Sequence, residues 1–291
     1  MALQLLHPHI RDENITFENT GHVYFIDGCS NDTVSTTTLI KTFTSPFPGR
    51  FICRRMVNSP KFPNKPTHSE YKQYVVDTEG QRRATDDIIE DILKHWRRKG
   101  EEACRLGTNL HNSIDEFYND IPVDLESTKE LKLFCQFNKD YTAKGFVPYR
   151  TEWFIYDDTD RICGAIDCVM FRPSDGTYHI FDWKRSKKIK KSGNRMKYPL
   201  LHLRDCNFMI YSLQLNVYKY ILEVFYGITV HSMCLVILHP SQHTYQIEEV
   251  PMLQNEVKDM ILEYKKMKST KPVPISDYFP SNYIPIRIYF P

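Results

Sequence analysis

No apolar run in this chain approaches the roughly 20 residues that would cross a bilayer. The opening stretch "MALQLLHPHIRDENITF" lacks a basic n-region, a long apolar segment and a small-residue cleavage site. These absences lead us to expect a soluble, intracellular protein with no membrane partner, nucleus and cytoplasm both being open. The eight cysteines, Cys29, Cys53, Cys104, Cys135, Cys163, Cys168, Cys206 and Cys234, contain no CxxC pair and no zinc-knuckle spacing. Scattered in this way, they are expected as reduced thiols, several of them filling core positions. There is no GxxxxGK[ST] loop, so any unwinding of a duplex falls to a partner. Internal repeats are absent too. So is an excess of charge: 38 basic residues stand against 36 acidic ones, so a polyanionic partner has to be argued from local clustering.

What is present is ample apolar material, 41% of 291 residues, with an ordinary charged fraction of 25%. "FENTGHVYFIDGCSNDTVSTTTLIKTF" reads as a hairpin followed by a helix capped near Ser35, with Pro46 and Pro48 beyond it. The proline-bearing stretch from Val57 to Gly80 reads as a surface loop. From Thr85 helical periodicity places Ile88, Ile89, Ile92, Leu110 and Ile114 near one stripe, with Gly100 and Gly107 as candidate breaks. "STKELKLFCQFNKDYTAKG" reads as a helix closed by Gly145. Then come three strand signals, "VPYRTEWFIYDD", "RICGAIDCVMFRP" and "TYHIFDWKR", joined by turn residues. An amphipathic helix, "NFMIYSLQLNVYKYILEVFYG", and the apolar strand "SMCLVILHP" follow. The expectation is an α/β fold: a mixed central sheet whose antiparallel meander carries the site, flanked by helices. We divide the chain into an N-terminal region 1–84 packed on the core, a core 85–250 and a C-terminal helix with a proline-rich tail 251–291, together one compact domain.

Chemistry enters on the meander. Asp167 ends "GAID" on its second strand, while Asp182 and Lys184, two residues apart on the third, face one side. Asp is depleted in strand interiors, so acids on neighbouring strands are a local cost that a divalent cation would offset. Mg²⁺ and Mn²⁺ take carboxylate, carbonyl and water oxygens, and the Trp183 backbone carbonyl is a further candidate ligand. An ammonium at Lys184 would steady charge developing beside the ion. In "GTNLHNSIDEF", His111 and Asp115 are four apart and share a helix face.

The ordered series "GTNLHNSID", "TEW", "GAID", "DWK" and "QLNVY" resembles the PD-(D/E)XK nuclease superfamily, in its RecB-type and lambda-exonuclease-like branch, over roughly residues 85–240. It is also similar to RecB-like nucleases encoded by large DNA viruses. The resemblance implies a restriction-endonuclease-like core in which His111, Asp167 and Asp182 bind Mg²⁺ or Mn²⁺ and Lys184 is catalytic. It implies further that Gln214 and Tyr218 form a QxxxY element and that Glu152 and Asp115 support the site, although the family often has glutamate where Asp115 stands. Relatives that carry an iron-sulfur cluster have three closely spaced cysteines after the QxxxY helix; here only Cys234 follows it, so no such cluster is expected.

The run Arg185, Lys187, Lys188, Lys190, Lys191 and Arg195 reads as a nucleic-acid-binding loop, with a solvated loop or a nuclear localisation signal as its other readings. Gln214 and Tyr218 read by themselves as a polar rim on a helix, and Tyr211, Tyr218 and Tyr220 as core aromatics or base-stacking ones. The functional expectation is a metal-dependent deoxyribonuclease, exonuclease before endonuclease, leaving 5′-phosphate ends in replication, recombination or repair. Its partners are single- or double-stranded DNA and a helicase, recombinase or replication protein. The alternatives are a cap-snatching type of RNA endonuclease and a catalytically inert nucleic-acid-binding accessory.

Overall fold

The computed structural model describes residues 2–269, and the expected proline-rich tail lies outside the described residues. The chain divides into two compact units, residues 2–45 with 107–269 and residues 46–106. The expected N-terminal region 1–84 is therefore shared between them.

The larger unit opens with α1 (Leu3–Leu6), a 3-10 turn (Ile10–Asn14) and the antiparallel pair β1 (Ile15–Glu18) and β2 (Val23–Ile26). The short β3 (Val34–Ser35) leads into α2 (Thr36–Thr42), whose first turn is capped by the Ser35 hydroxyl accepting from Thr38 N–H.

The smaller unit holds α3 (Gly49–Val57), a 3-10 helix (Pro66–Tyr74) and the first part of α4 (Thr85–Tyr118). Its core joins Cys53, Val57, Phe62, Tyr71 and Val75 to Ile88, Ile89 and Ile92 of α4. The stretch 57–80, expected as a surface loop, thus contributes four buried side chains, Val57, Phe62, Tyr71 and Val75. Its apolar residues lack periodicity because they fill gaps against the α4 stripe, and Trp96 Nε1–H fixes Tyr71 by donating to its hydroxyl at 2.8 Å. Nor do Gly100 and Gly107 break α4, which runs unbroken for 34 residues. A glycine costs a helix only about 1 kcal/mol, less than the buried residues on either side of these two contribute.

Back in the larger unit, α5 (Lys129–Ala143) is capped by Thr128 and followed by Gly145 at φ +82°. The meander comes next: β4 (Val147–Tyr156), β5 (Ile162–Arg172) and β6 (Thr177–Lys184), all antiparallel. Then follow the small pair β7 (Asn194–Arg195) and β8 (Arg204–Asp205), α6 (Asn207–Phe225), β9 (Val230–Ile237), β10 (Gln246–Glu249) and α7 (Gln254–Ser269). β9 lies parallel to β6, which makes the six-stranded sheet mixed. One face carries Cys168, Met170, Phe181, Trp183 and Val236 against Leu110, Ile114, Phe134 and Phe137 of α4 and α5. By the alternation of a strand, Asp182 and Lys184 point to the other face, where α6 packs. α6 is buried continuously from Tyr211 to Lys219 and is not the amphipathic helix its sequence suggests. It is sandwiched between the sheet and helices α2 and α7, which cover its polar positions.

The register of β5 contains the feature that makes room for a site. β4 occupies one edge of β5 from Cys163 to Phe171. On the other edge β6 pairs only from Cys168 onward and β3 only with Ile162 and Cys163. The residues between them, "GAID", have no strand beside them on that edge. Meanwhile β6 stays paired with β9 through Lys184, so β5 and β6 part at the point where the two acids stand.

The N-terminal segment is pinned to β4 by Asp12, whose carboxylate accepts from Arg150 Nη1 at 2.7 Å and Trp153 Nε1 at 2.8 Å. Arg150 is 4% exposed and stacks over the Trp153 ring. We expect Asp12→Ala to strand that buried guanidinium and lower stability by about 3 kcal/mol, read as a lower urea midpoint at unchanged slope. A shift within error would show that the pin contributes nothing.

Candidate metal centre

Five elements, α4, β4, β5, β6 and α6, bring side chains to the parting of β5 and β6. The ladder hydrogen bond that would have continued the pair is replaced by a side chain: Trp183 N–H donates to Asp167 Oδ2 at 2.8 Å. The other peptide group of Trp183 is engaged from α4, its carbonyl accepting from His111 Nε2–H at 2.9 Å. That bond turns His111 Nδ1 toward the acids, 3.5 Å from Asp167 Oδ2 and 3.6 Å from Glu152 Oε1 on β4. The donor atoms of His111, Glu152 and Asp167 all lie within 4.8 Å of one another. The Trp183 carbonyl, expected as a metal ligand, accepts the hydrogen bond that orients the imidazole, a common task for the group behind a ligating histidine.

Asp182 stands beside this grouping and not within it. Its Oδ2 is 2.5 Å from Lys184 Nζ, an ion pair without hydrogen-bond alignment, and both groups are almost fully buried. Neither Asp182 oxygen nor Glu152 Oε1 has a hydrogen-bond partner, although all three are shut off from solvent. Buried carboxylate oxygens are nearly always satisfied. A divalent cation, which prefers oxygen donors and tolerates one imidazole, fits this donor set.

The charges are strongly coupled. Burial opposes charge on His111, yet Asp167 and Glu152 outweigh it and carry the imidazole up to about 9. Burial raises Asp182 to about 6; Lys184 pulls it down and Asp167 pushes it up. The ring of Tyr211 on α6 lies under Lys184 Nζ at 4.5 Å, a cation–π contact that positions the ammonium. Deeper along α6, Gln214 Nε2–H donates to Tyr218 Oη at 2.9 Å, and the phenol is held well above its usual range by burial. Tyr211 and Tyr218 are 6% and 3% exposed, so neither presents a face to stack bases.

Gly164 explains how Tyr218 reaches the gap. A Cβ there would sit 2.6 Å from the tyrosine ring and 3.2 Å from Thr36 Oγ1. The glycine of "GAID" is thus a packing requirement, a role the sequence signals only by placing it beside the acid. Asp115 does not join the donors. Its Oδ1 accepts from Thr151 Oγ1 at 2.6 Å and Asn119 Nδ2 at 2.9 Å, and neither partner was singled out from sequence.

Of the basic run, Arg185 is committed to Glu130 at 2.6 Å, Lys191 to Glu248 at 2.6 Å, and Arg195 donates to the Leu201 carbonyl. Lys187, Lys188 and Lys190 are exposed. All eight cysteines are free thiols, and burial pushes those of Cys53 and Cys234 up to about 11. No helix among the described residues is long and apolar enough to cross a membrane. We expect Gly164→Ala to force Tyr218 aside and cost about 1–3 kcal/mol, seen as a lowered thermal midpoint. An unchanged midpoint would show that the ring has room to move.

No protein-family model matches the chain, and no curated protein matches it. Among solved structures, one described as the crystal structure of SSO0001 is similar at 16% identity and a TM-score of 0.32, covering 87% of this chain and 81% of that one.

Proposed function

We propose that the protein is a metal-dependent nuclease of the PD-(D/E)XK type, hydrolysing phosphodiester bonds of DNA. The observation that carries the reading is the convergence of His111, Glu152, Asp167, Asp182 and Lys184 on one gap in the sheet, where three buried carboxylate oxygens accept no hydrogen bond. His111, Glu152 and Asp167 would hold Mg²⁺ or Mn²⁺ with Asp182 alongside; such an ion supplies Lewis acidity, lowering the pKa of water and polarising the phosphate.

The remaining work belongs to the chain itself. Lys184, steadied between Asp182 and the Tyr211 ring, offers a fixed positive charge to the oxygens of a phosphate under attack. Asp182, already drawn toward neutrality by burial, returns to the charged form beside a cation. Attack in line forms the bond from water oxygen to phosphorus and breaks the bond to the 3′-oxygen, leaving 5′-phosphate and 3′-hydroxyl ends as in the nucleases this sequence resembles. Exposed Lys187, Lys188 and Lys190 follow Lys184 directly in the chain and suit contact with a phosphate backbone, which makes binding weaken as salt rises. The chain resembles nucleases of replication, recombination and repair, and a helicase or recombinase partner belongs to the same reading.

Two measurements test it. Purified protein with labelled single- or double-stranded DNA in Mg²⁺ or Mn²⁺ should release 5′-phosphate products, and Lys184→Ala should reduce the rate by at least about a hundredfold. Absence of cleavage, cleavage undiminished in that variant, or preference for matched RNA would overturn the assignment. The second is pH dependence of Mn²⁺ uptake. Since His111 holds its proton up to about 9, binding below that pH must expel it. Affinity should climb by about tenfold per pH unit between about pH 6 and 8 and level off above about 9. A flat calorimetric profile would remove His111 from the donor set.

A further inference from the structure

Glu152 has a backbone that its residue type does not favour. Its φ is +41°, the left-handed region, in the middle of a ten-residue strand. A non-glycine residue held there costs on the order of 1–3 kcal/mol and persists only when its surroundings impose it. The same residue carries one of the unpartnered carboxylate oxygens, Oε1, aimed at His111.

The imposing groups are its neighbours. Thr151 donates its hydroxyl proton to Asp115 Oδ1 at 2.6 Å. Asn119, just past the end of α4, donates from Nδ2 to Asp115 Oδ1 at 2.9 Å, to the Asp115 carbonyl at 2.8 Å and to Thr151 Oγ1 at 3.1 Å. The direction of that amide is fixed from outside, because Leu3 N–H donates to Asn119 Oδ1 at 2.8 Å. The network ties the last turns of α4 to the residue immediately before the strained one.

We propose that Asp115, Asn119 and Thr151 are positioning residues: they clamp β4 to α4 and so hold Glu152 in its left-handed conformation, presenting Oε1 to the metal centre. This rests on the metal-site reading above. The clamp sets the affinity of the site for a divalent ion without touching the ion. Asp115 then acts through Thr151 and Glu152, one step behind the donors.

The test is Mn²⁺ binding to the full chain, followed by calorimetry and by the electron paramagnetic resonance signal of free Mn²⁺. Thr151→Val keeps the shape and removes the hydroxyl, and affinity should fall by about tenfold to a hundredfold, the usual effect of losing a partner behind a ligand. Thr151→Ser restores the hydroxyl and should bind like the parent. Asn119→Ala breaks the same network from α4 and should weaken binding as well, which provides a second arm should the valine variant not fold. Equal affinity in parent, Thr151→Val and Asn119→Ala, or a serine variant as weak as the valine one, would overturn the clamp. Failure of the parent protein to bind Mn²⁺ would instead sink the metal-site reading itself, and the two failures are thereby separable.

Discussion

The site depends on one interrupted hydrogen-bond ladder. Antiparallel strands normally exchange N–H···O bonds until one of them ends or bulges. Here β6 keeps its partner β9 while β5 loses β6 below Cys168, and the orphaned Trp183 N–H is satisfied by the Asp167 carboxylate. A backbone donor left unpaired in the interior would cost about 1–3 kcal/mol, so the acid is structural as well as chemical. The opening it spans lets groups from both faces of the sheet meet: His111 from the α4 side, Lys184 with Tyr211 and Tyr218 from the α6 side. A continuous ladder would have walled these two sets apart.

Gathering three carboxylates in that opening is unfavourable unless cations share it. Unit charges about 3.5 Å apart attract by roughly 5 kcal/mol at an effective dielectric near 20; His111 makes two such contacts, with Asp167 and Glu152, and Lys184 stands closer still to Asp182. They offset the cost of burying the acids only in part: burial first, and Asp167 after it, carry the carboxyl of Asp182 up to about 6 although Lys184 pulls it down. The imidazole rising to about 9 is the complementary sign: Asp167 and Glu152 together favour a proton on His111 more strongly than burial disfavours it. A site arranged in this way is held together by the same electrostatics that would favour a divalent ion, and the unpartnered oxygens of Glu152 and Asp182 mark where further positive charge is called for.

Much of this was legible in the sequence because it follows short periods. Alternation across "DWK" places Asp182 and Lys184 together, i, i+4 spacing joins Gln214 to Tyr218, and turn residues delimit β4, β5 and β6 correctly. The mixed α/β sheet flanked by helices follows from the same signals. What was not legible depends on register and tertiary packing. Whether Glu152 or Asp182 joins His111 and Asp167 depends on where β5 leaves β6, and a periodicity of two carries no information about that. The unbroken α4 defeats a local rule about glycine because buried contacts on both sides outweigh it. The burial of α6 on all sides likewise comes from α2 and α7, which are remote in sequence.

The basic run shows how counting charges differs from locating them. From the sequence, Arg185 to Arg195 is one uniform patch; in the fold its two ends are tied to the scaffold and its middle is not. Arg185 and Glu130 are both largely buried, so their pair anchors the chain directly after Lys184 against the start of α5 and limits how far that lysine can drift. An Arg fork suits that anchoring role better than a lysine would. Lys187, Lys188 and Lys190 then extend from a fixed origin into solvent. The division of labour within six cations, three tied to the scaffold and three reaching into solvent, explains why a chain with almost no net charge can still present a concentrated positive surface beside its acidic site.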